Sequence, residues 1–302
     1  MSWRIRAAEL AYRSGVQLAR LWNYPPRPLR LPRHYARTTP PPSPPTVTIV
    51  TPSFNQGRFI ERTIRSVLDQ GYPRLEYVVQ DGGSTDETVS ILKRYDGRLT
   101  RWESARDGGQ SPAINLGFRG TTGSIMAYLN SDDVLFPGAL AYAARYFADH
   151  PKVDALYSHR ILIDEEDGEV GRWVLPAHDD VVLRWADFVP QETLFWRRSL
   201  WERVGGAIDE SFRFAMDWDL LLRFQAVGAR IVRVPRFLGG FRVHAAQKTQ
   251  HENPLGQEEC RRLRLRVHGR AVSEMEIVKA TVGYVLRHAL LDRLHRHGLL
   301  RH

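Results

Sequence analysis

Two adjacent acids, Asp132 and Asp133, follow directly on the apolar run Ser124-Ile125-Met126-Ala127-Tyr128-Leu129, which reads as a buried strand. Neighbouring carboxylates at such a strand end repel each other and lose hydration, so a folded chain keeps them where a cation or several donors offset the charge. The chemistry this suggests is a divalent metal holding a phosphorylated ligand, because Mg²⁺ and Mn²⁺ accept carboxylate oxygens and keep positions open for phosphate. The pair also reads as a helix N-cap followed by a first-turn acid. Three more polar loops stand at comparable places: Thr51-Pro52-Ser53-Phe54-Asn55, Gln80-Asp81-Gly82-Gly83-Ser84-Thr85-Asp86 and Asp107-Gly108-Gly109-Gln110. Any one alone would be a turn. Four in succession describe a ligand crevice at the carboxyl edge of an α/β sheet, with glycines that let backbone approach a nucleotide.

The elements that must place these loops alternate. Strands are predicted at 47–50, 76–79 and 99–103 before the run at 124–129; helices are predicted at 59–69, at 86–95 with Ser84 or Thr85 as cap, and from about Pro112. Such alternation implies right-handed crossovers and a mostly parallel sheet. Residues 161–164 and 172–174 read as a hairpin around an acidic turn. No Gly-x-x-x-x-Gly-Lys-Ser/Thr and no Gly-x-Gly-x-x-Gly occurs, which disfavours a P-loop NTPase and an ordinary dinucleotide-dependent dehydrogenase.

The chain of 302 residues, 43% hydrophobic, is long enough for one large domain with appendages. A single cysteine, Cys260, excludes an internal disulfide framework. The net charge of +9 sits at the ends: residues 1–46 hold eight Arg and one Glu, and residues 256–302 hold ten Lys and Arg against five acids. The central segment is therefore mildly acidic, which argues against a nucleic-acid partner. No apolar stretch approaches the roughly 20 residues that cross a bilayer. The first two dozen residues have the pattern of a basic amphipathic helix, suited to an anionic membrane surface or to packing on the domain. Nine prolines between 25 and 45 make an extended linker or a surface strap. Val278, Val282, Val285, Leu286, Leu290, Leu291 and Leu294 recur at helical spacing and are expected to be a packing face, with a membrane-facing stripe as the alternative.

Thr-Pro-Ser-Phe-Asn-Gln-Gly from residue 51, Val-Val-Gln-Asp-Gly-Gly-Ser-Thr-Asp-Glu-Thr from 78, Gly-Gly-Gln-Ser-Pro-Ala-Ile-Asn-Leu-Gly from 108 and Leu-Asn-Ser-Asp-Asp from 129 resemble, in order and spacing, the family 2 glycosyltransferases of the GT-A fold. The resemblance covers about residues 47–245. It implies a GT-A Rossmann-like α/β fold with a mostly parallel central sheet flanked by helices, here with basic helical extensions. The expected divisions are 1–46, a basic helix and Pro-rich linker; 47–250, the GT-A domain; and 251–302, a C-terminal helical extension.

The same resemblance implies an inverting transfer of a sugar from a nucleotide-diphosphate donor of UDP, GDP or dTDP type to an acceptor hydroxyl, with Mn²⁺ or Mg²⁺. Asp81 matches the acid that contacts the base; Thr51, Pro52 and Phe54 match the first loop of that pocket; Asp107 lies near the ribose. Asp133 is the implied principal metal ligand, and Asp132 a ligand or ribose acceptor. Gln110 and Asn115 are candidate donor contacts, Asn115 equally a structural amide. Pro190 to Arg198 resembles the acceptor segment, so Gln191, Glu192 and Trp196 are candidate acceptor contacts, although the aromatics also fit an amphipathic packed strand. Met216-Asp217-Trp218-Asp219-Leu220-Leu221-Leu222-Arg223 resembles the motif whose first Asp is the general base, which makes Asp217 the candidate; the family's usual acid one place earlier is Met216 here. Asp219 is expected to cap the helix or to pair with Arg223. Arg242-Val243-His244 resembles a late Arg-x-His segment, so His244 is a candidate metal ligand or diphosphate contact.

Processive synthases of the family carry Gln-x-x-Arg-Trp and membrane helices; neither pattern occurs, which favours single-sugar transfer. An acceptor in surface polysaccharide or glycolipid assembly, lipid-linked, with the protein cytoplasmic and peripheral on the inner face of the membrane, would account for the basic ends. A nucleotidyltransferase acting on a sugar phosphate and a non-catalytic nucleotide-sugar-binding module are the alternatives.

Overall fold

The computed structural model describes residues 21–245, 247 and 253–300. The expected N-terminal amphipathic helix falls on residues 1–20, outside the described residues. Strand β1 (Val47–Ser53) is buried along its whole length, as an inner strand covered on both faces must be. It pairs in parallel with β2 (Leu75–Asp81) on one side and with β4 (Ile125–Tyr128) on the other, and β2 pairs in parallel with β3 (Arg101–Ser104). The register sets Ser53 opposite Asp81 and Asp81 opposite Ser104, so these strands end level and their loops open at one edge. Crossover helix α1 (Ile60–Leu68) buries Ile60, Thr63, Ile64 and Val67, one stripe at helical spacing. Neither Ser84 nor Thr85 caps helix α2 (Thr88–Arg94): its N-cap is Glu87, whose side chain makes no capping bond, and Asp86 just before it accepts the Thr88 N–H at 3.0 Å. Helix α3 (Gln110–Phe118) lies so close to β1 that a Cβ on Gly117 would stand 2.4 Å from Val50 Cγ1.

The second half departs from a parallel sheet. After β5 (Val134–Leu135) and α4 (Ala139–Asp149) come β6 (Ala155–Ile163) and β7 (Glu169–Trp173), the expected hairpin. They are followed by α5 (Asp180–Leu183), a 3₁₀ turn (Gln191–Thr193), β8 (Phe195–Arg197), α6 (Arg198–Arg203), α7 (Met216–Ala226) and the long β9 (Ile231–Arg242). Among the described residues the strands form one mixed sheet in the order β3-β2-β1-β4-β8-β6-β9-β5, with β7 beside β6. Strand β8 runs antiparallel to both β4 and β6, so the sheet changes direction immediately beside the acidic loop.

Trp196 corrects an expectation. Fully buried on β8, it packs among Phe118, Trp201 and Phe224 with ring centroids about 6.0 Å apart, and so belongs to the core rather than to an acceptor surface. The alternating pattern of β8 aims the indole at the helices.

The proline-rich segment is a strap. Arg27 exchanges backbone hydrogen bonds with Glu169, Tyr35 is buried beneath the Arg236 guanidinium, and Arg145 donates to the Thr39 and Pro40 carbonyls. At the other end, α8 (Asn253–His268) and α9 (Glu274–Arg296) lie on the domain. The packing face of α9 is built on Tyr284, His288 and Asp292, four residues apart; of the expected aliphatic stripe, Leu291 packs on the core and Val282, Val285 and Leu294 are half-buried, while Leu286 and Leu290 point outward. Burial, helped by the Arg296 charge, holds His288 neutral with its pKa pushed down to about 4, against the opposing effect of its bond to the Val174 carbonyl.

Trp196→Ala is expected to lower stability by about 3–5 kcal/mol, read from urea unfolding midpoints. A loss under about 1 kcal/mol would put the indole at a surface.

Candidate active site

The four loops converge on one cavity of about 1230 Å³. Its wall includes Pro52 and Phe54 from the first loop, Gly82 and Gly83 from the second, Asp107 and Gln110 from the third, and Asp132 and Asp133 from the fourth. Loops one and two are tied together, since Asn55 N donates to Ser84 Oγ at 2.6 Å and Thr85 N to Asn55 Oδ1 at 2.9 Å. Gly82 keeps the slot open: a Cβ would lie 3.2 Å from the Asp107 carboxylate and 3.3 Å from the Phe54 ring, crowding the space between them. Gly83 adopts φ +83°, a conformation that favours glycine.

Three expected contacts do not face this cavity. Asp81 is fully buried under its own loop, where its carboxylate accepts from the N–H groups of Gly83 and Ser84 and the hydroxyls of Ser84 and Ser104. The short loop supplies enough donors to turn the acid inward, so Asp81 shapes the glycine slot rather than lining it. Thr51 is buried with its hydroxyl 3.1 Å from that of Tyr77. Asn115 brackets residue 208, accepting from the Ile208 N–H and donating to the Ile208 carbonyl, and is a structural amide.

An amide relay crosses the floor. Gln110 donates to Asn130 at 2.7 Å, Asn130 to Gln191 at 3.1 Å, and Gln191 to the Tyr128 carbonyl at 2.8 Å, which joins the first-half loops to the 3₁₀ turn. Beside it, Thr63 of α1 bonds the carbonyls of Ser131 and Asp133 and fixes the acidic loop. The two acids then diverge. Asp133 is buried, its Oδ1 accepting from Arg242 N at 2.9 Å; burial, then Asp132 and Glu192, push its carboxyl well above the ordinary range. Asp132 stays partly open, with Oδ2 3.0 Å from His244 Nε2. Glu192 is not free for hydroxyls as expected: Arg160 holds both its oxygens, at 2.9 and 2.8 Å, while its guanidinium lies over the rings of Trp173 and Phe241.

Asp217 lines the cavity from the first turn of α7. The helix N-cap is Ala215, so Asp217 is not the plain cap that its position also allowed. Asp219, two residues on, is buried and pairs with Arg223 and Arg266, as its spacing to Arg223 predicted.

A family model described as glycosyl transferase family 2 matches residues 48–213, more than half of the chain. The chain belongs to glycosyl transferase family 2. It is 32% identical over 187 residues to an uncharacterized glycosyltransferase of Mycobacterium tuberculosis, covering 60% of this chain and 69% of that protein. It is 29% identical over 187 residues to the chondroitin synthase of Escherichia coli, covering 61% of this chain and 27% of that one. Among solved structures, the mannosyltransferase PcManGT from Pyrobaculum calidifontis, in complex with GDP-Man and Mn²⁺, superposes with a TM-score of 0.59 at 22% identity, over 92% of this chain and 77% of that chain. That likeness establishes the shared fold of this glycosyltransferase, with its curled mixed sheet flanked by helices.

The PcManGT structure contains Mn²⁺, and the spacing of one pair of side chains here is compatible with a divalent metal. Octahedral ligands about 2.1 Å from a metal lie about 3 Å apart when adjacent, and Asp132 Oδ2 and His244 Nε2 are 3.0 Å apart. Among the described residues no group of three or more His, Cys, Asp or Glu is placed to hold a metal ion. Mg²⁺-type sites commonly use one or two protein ligands and take the rest from phosphate and water. Asp133, expected to be the principal ligand, has one oxygen committed to the Arg242 N–H; Asp132 is the more available acid of the pair.

Two lining residues carried no signal in the sequence. Arg160 sits mid-strand in the hairpin, and only tertiary packing brings it to Glu192. Asp187 lies in the loop before the 3₁₀ turn, with Oδ1 accepting from Val189 N at 3.0 Å. It opens to solvent inside the cavity, yet the walls strip its hydration, and together with the Asp217 charge they push its carboxyl up to about 8. The folded enzyme thus holds on Asp187 a proton that the unfolded chain releases near the ordinary value of 3.8, so this contribution to stability declines as pH rises from about 4 to about 8. Asp187→Asn is expected to flatten the fall of Tm between pH 5 and pH 8. A variant whose Tm falls as steeply as the parent's would return Asp187 to the ordinary range.

Proposed function

We propose that this glycosyltransferase moves a single sugar from a nucleoside-diphosphate sugar to an acceptor hydroxyl, with inversion and with a divalent metal. The observation that carries the reading is the continuity of one cavity from the Phe54, Gly82 and Asp107 slot, past Asp132, to Asp217. The slot suits a flat base and its ribose: the Phe54 ring, exposed at the rim, offers a stacking face, and Asp107 offers a hydroxyl acceptor.

Asp132 and His244 would hold Mn²⁺ or Mg²⁺, which supplies neutralisation of the charge developing on the departing diphosphate. Asp217 accepts the proton of the attacking hydroxyl, from a helix start that fixes its direction. Arg160 restrains Glu192 and offsets the carboxylates of the floor. Gln191 holds the relay in register and is the one expected acceptor contact that lines the cavity without a competing ion pair. An acceptor in polysaccharide or glycolipid assembly is supported by the chondroitin synthase relative. Among the described residues no helix is long and apolar enough to cross a membrane. Peripheral contact at the membrane's inner face is supported by the outward Met275, Leu286 and Leu290 of α9, beside its arginines.

Thermal unfolding with UDP, GDP, dTDP or CDP, each with Mn²⁺ or with chelator, tests the donor site. One nucleotide at about 100 times its Kd should stabilise the fold by about 2.7 kcal/mol, and Asp132→Asn should abolish the metal-dependent part. A shift unaffected by chelator would remove the metal from the reading. Asp217→Asn should keep nucleotide affinity and lose roughly 10²–10⁴-fold in turnover; unchanged turnover would take the base role from Asp217. Pyrophosphate, rather than nucleoside diphosphate, among the products would make the enzyme a nucleotidyltransferase.

A further inference from the structure

Helix α7 begins without a capping residue of its own. Ala215 is its N-cap and offers no side-chain acceptor, although the first N–H groups of any helix need partners from elsewhere. Within the first turn, Trp218 N donates to Asp217 Oδ1 at 2.9 Å, and the three amides that lead into the helix are held from a different part of the chain. Glu259 of α8, only 2% exposed, accepts from Arg213 N at 2.8 Å through Oε1, and from Phe214 N and Ala215 N, each at 2.8 Å, through Oε2. The three clamped amides end two residues before Asp217. The rest of α8 reinforces the contact: Gly256 packs so tightly on Phe214 that a Cβ would stand 2.7 Å from its ring, and the Arg264 guanidinium lies over Trp218 at 5.2 Å while its Nε donates to the Trp185 carbonyl. Cys260, next to Glu259, forms part of the cavity wall. All of these α8 residues lie beyond the family match, which ends at residue 213.

We propose that Glu259 is a positioning residue for catalysis: it fixes, through three backbone N–H bonds, the entry to α7 and with it the direction of the Asp217 carboxylate. The C-terminal helices thereby complete the active site and are not an appendage to it. The neighbouring loop is held in the same way, because Phe188, next to Asp187, packs against Tyr284 of α9 with centroids 4.4 Å apart. A buried carboxylate bonded to three amides is a stiff anchor, since charge-assisted bonds are shorter and about twice as strong as neutral ones. A base displaced by about 1 Å costs about 10²-fold in rate. This inference rests on Asp217 being the base.

The variant that tests it is Glu259→Gln, which preserves shape but replaces one acceptor oxygen with an amide donor that faces the same N–H groups. Amide hydrogen exchange at residues 213–215, Tm, the affinity for UDP and GDP with Mn²⁺, and release of nucleoside diphosphate from UDP-sugars and GDP-Man are measured together. Exchange at 213–215 should accelerate and kcat fall by about 10²-fold, with nucleotide affinity within about twofold. The Glu259→Gln, Asp217→Asn double variant should be no slower than Asp217→Asn alone, because residues that act as one unit are not additive. Full turnover in Glu259→Gln despite accelerated exchange would overturn the proposal, as would a further multiplicative loss in the double variant. Loss of nucleotide affinity and Tm in proportion to kcat would reduce Glu259 to a purely structural residue. A parent chain without any turnover would instead refute the transfer reading on which this role rests.

Discussion

The structure depends on how it offsets an excess of negative charge at one strand end. Asp107, Asp132, Asp133, Asp187, Glu192 and Asp217 all line the cavity, against Arg106 and Arg160 among the described residues. Carboxylates gathered in a partly desolvated space raise one another's proton affinity, as Asp133 and Asp187 show. Arg242 answers this directly. Fully buried, it uses its backbone N–H for Asp133, its Nε for the Asp132 carbonyl, and its guanidinium for the Asp164 carbonyl and Asp167. One residue thus binds the acidic loop to the turn of the hairpin.

Much of the second half follows from delivering Arg242 and Arg160 to that place. Strand β9 passes the 3₁₀ turn through Gly239, where a Cβ would stand 2.9 Å from the Glu192 carbonyl oxygen, so only glycine permits the approach. Strand β6, parallel to β9, carries Arg160 to Glu192, and the aromatic walls of Trp173 and Phe241 shield the pair from water. A buried ion pair of this kind is weak evidence of stability in itself, because desolvation consumes most of the attraction. Its value here is placement: it keeps a fixed cation among acids that would otherwise repel one another.

The cavity is divided by origin. Its first-half loops are local products of strand ends in register, each stabilised by its own glycines and short polar side chains. Its far wall is assembled from segments distant in sequence: a loop pinned by α9, a helix start clamped by α8, and a hairpin tied down by the strap through Glu169, which accepts from Tyr24, Arg27 and Arg172. The termini, basic and outside the matched family segment, are therefore part of the folded domain wherever they are described.

The sequence by itself determined the strand and helix alternation, the level strand ends, the four loops and the acidic pair, because period-2 and period-3.6 patterns and glycine-rich turns are local physics. It also offered pairing with Arg223, four residues away on one helix, as one of two roles for Asp219, the other being a helix cap. What it could not determine was which way each polar side chain turns. Asp81, Thr51, Asn115 and Trp196 stood at matching positions, yet Ser84 and Ser104, Tyr77, Ile208 and the aromatic core claim them. Asp187, Arg160 and Glu259 had no motif, because their partners lie on other elements: Glu192 is 32 residues from Arg160, and Glu259 is 44 to 46 residues from the amides it clamps. The direction of a buried side chain is set by whichever donor or cavity the tertiary fold brings within about 3 Å, and no local pattern encodes that distance.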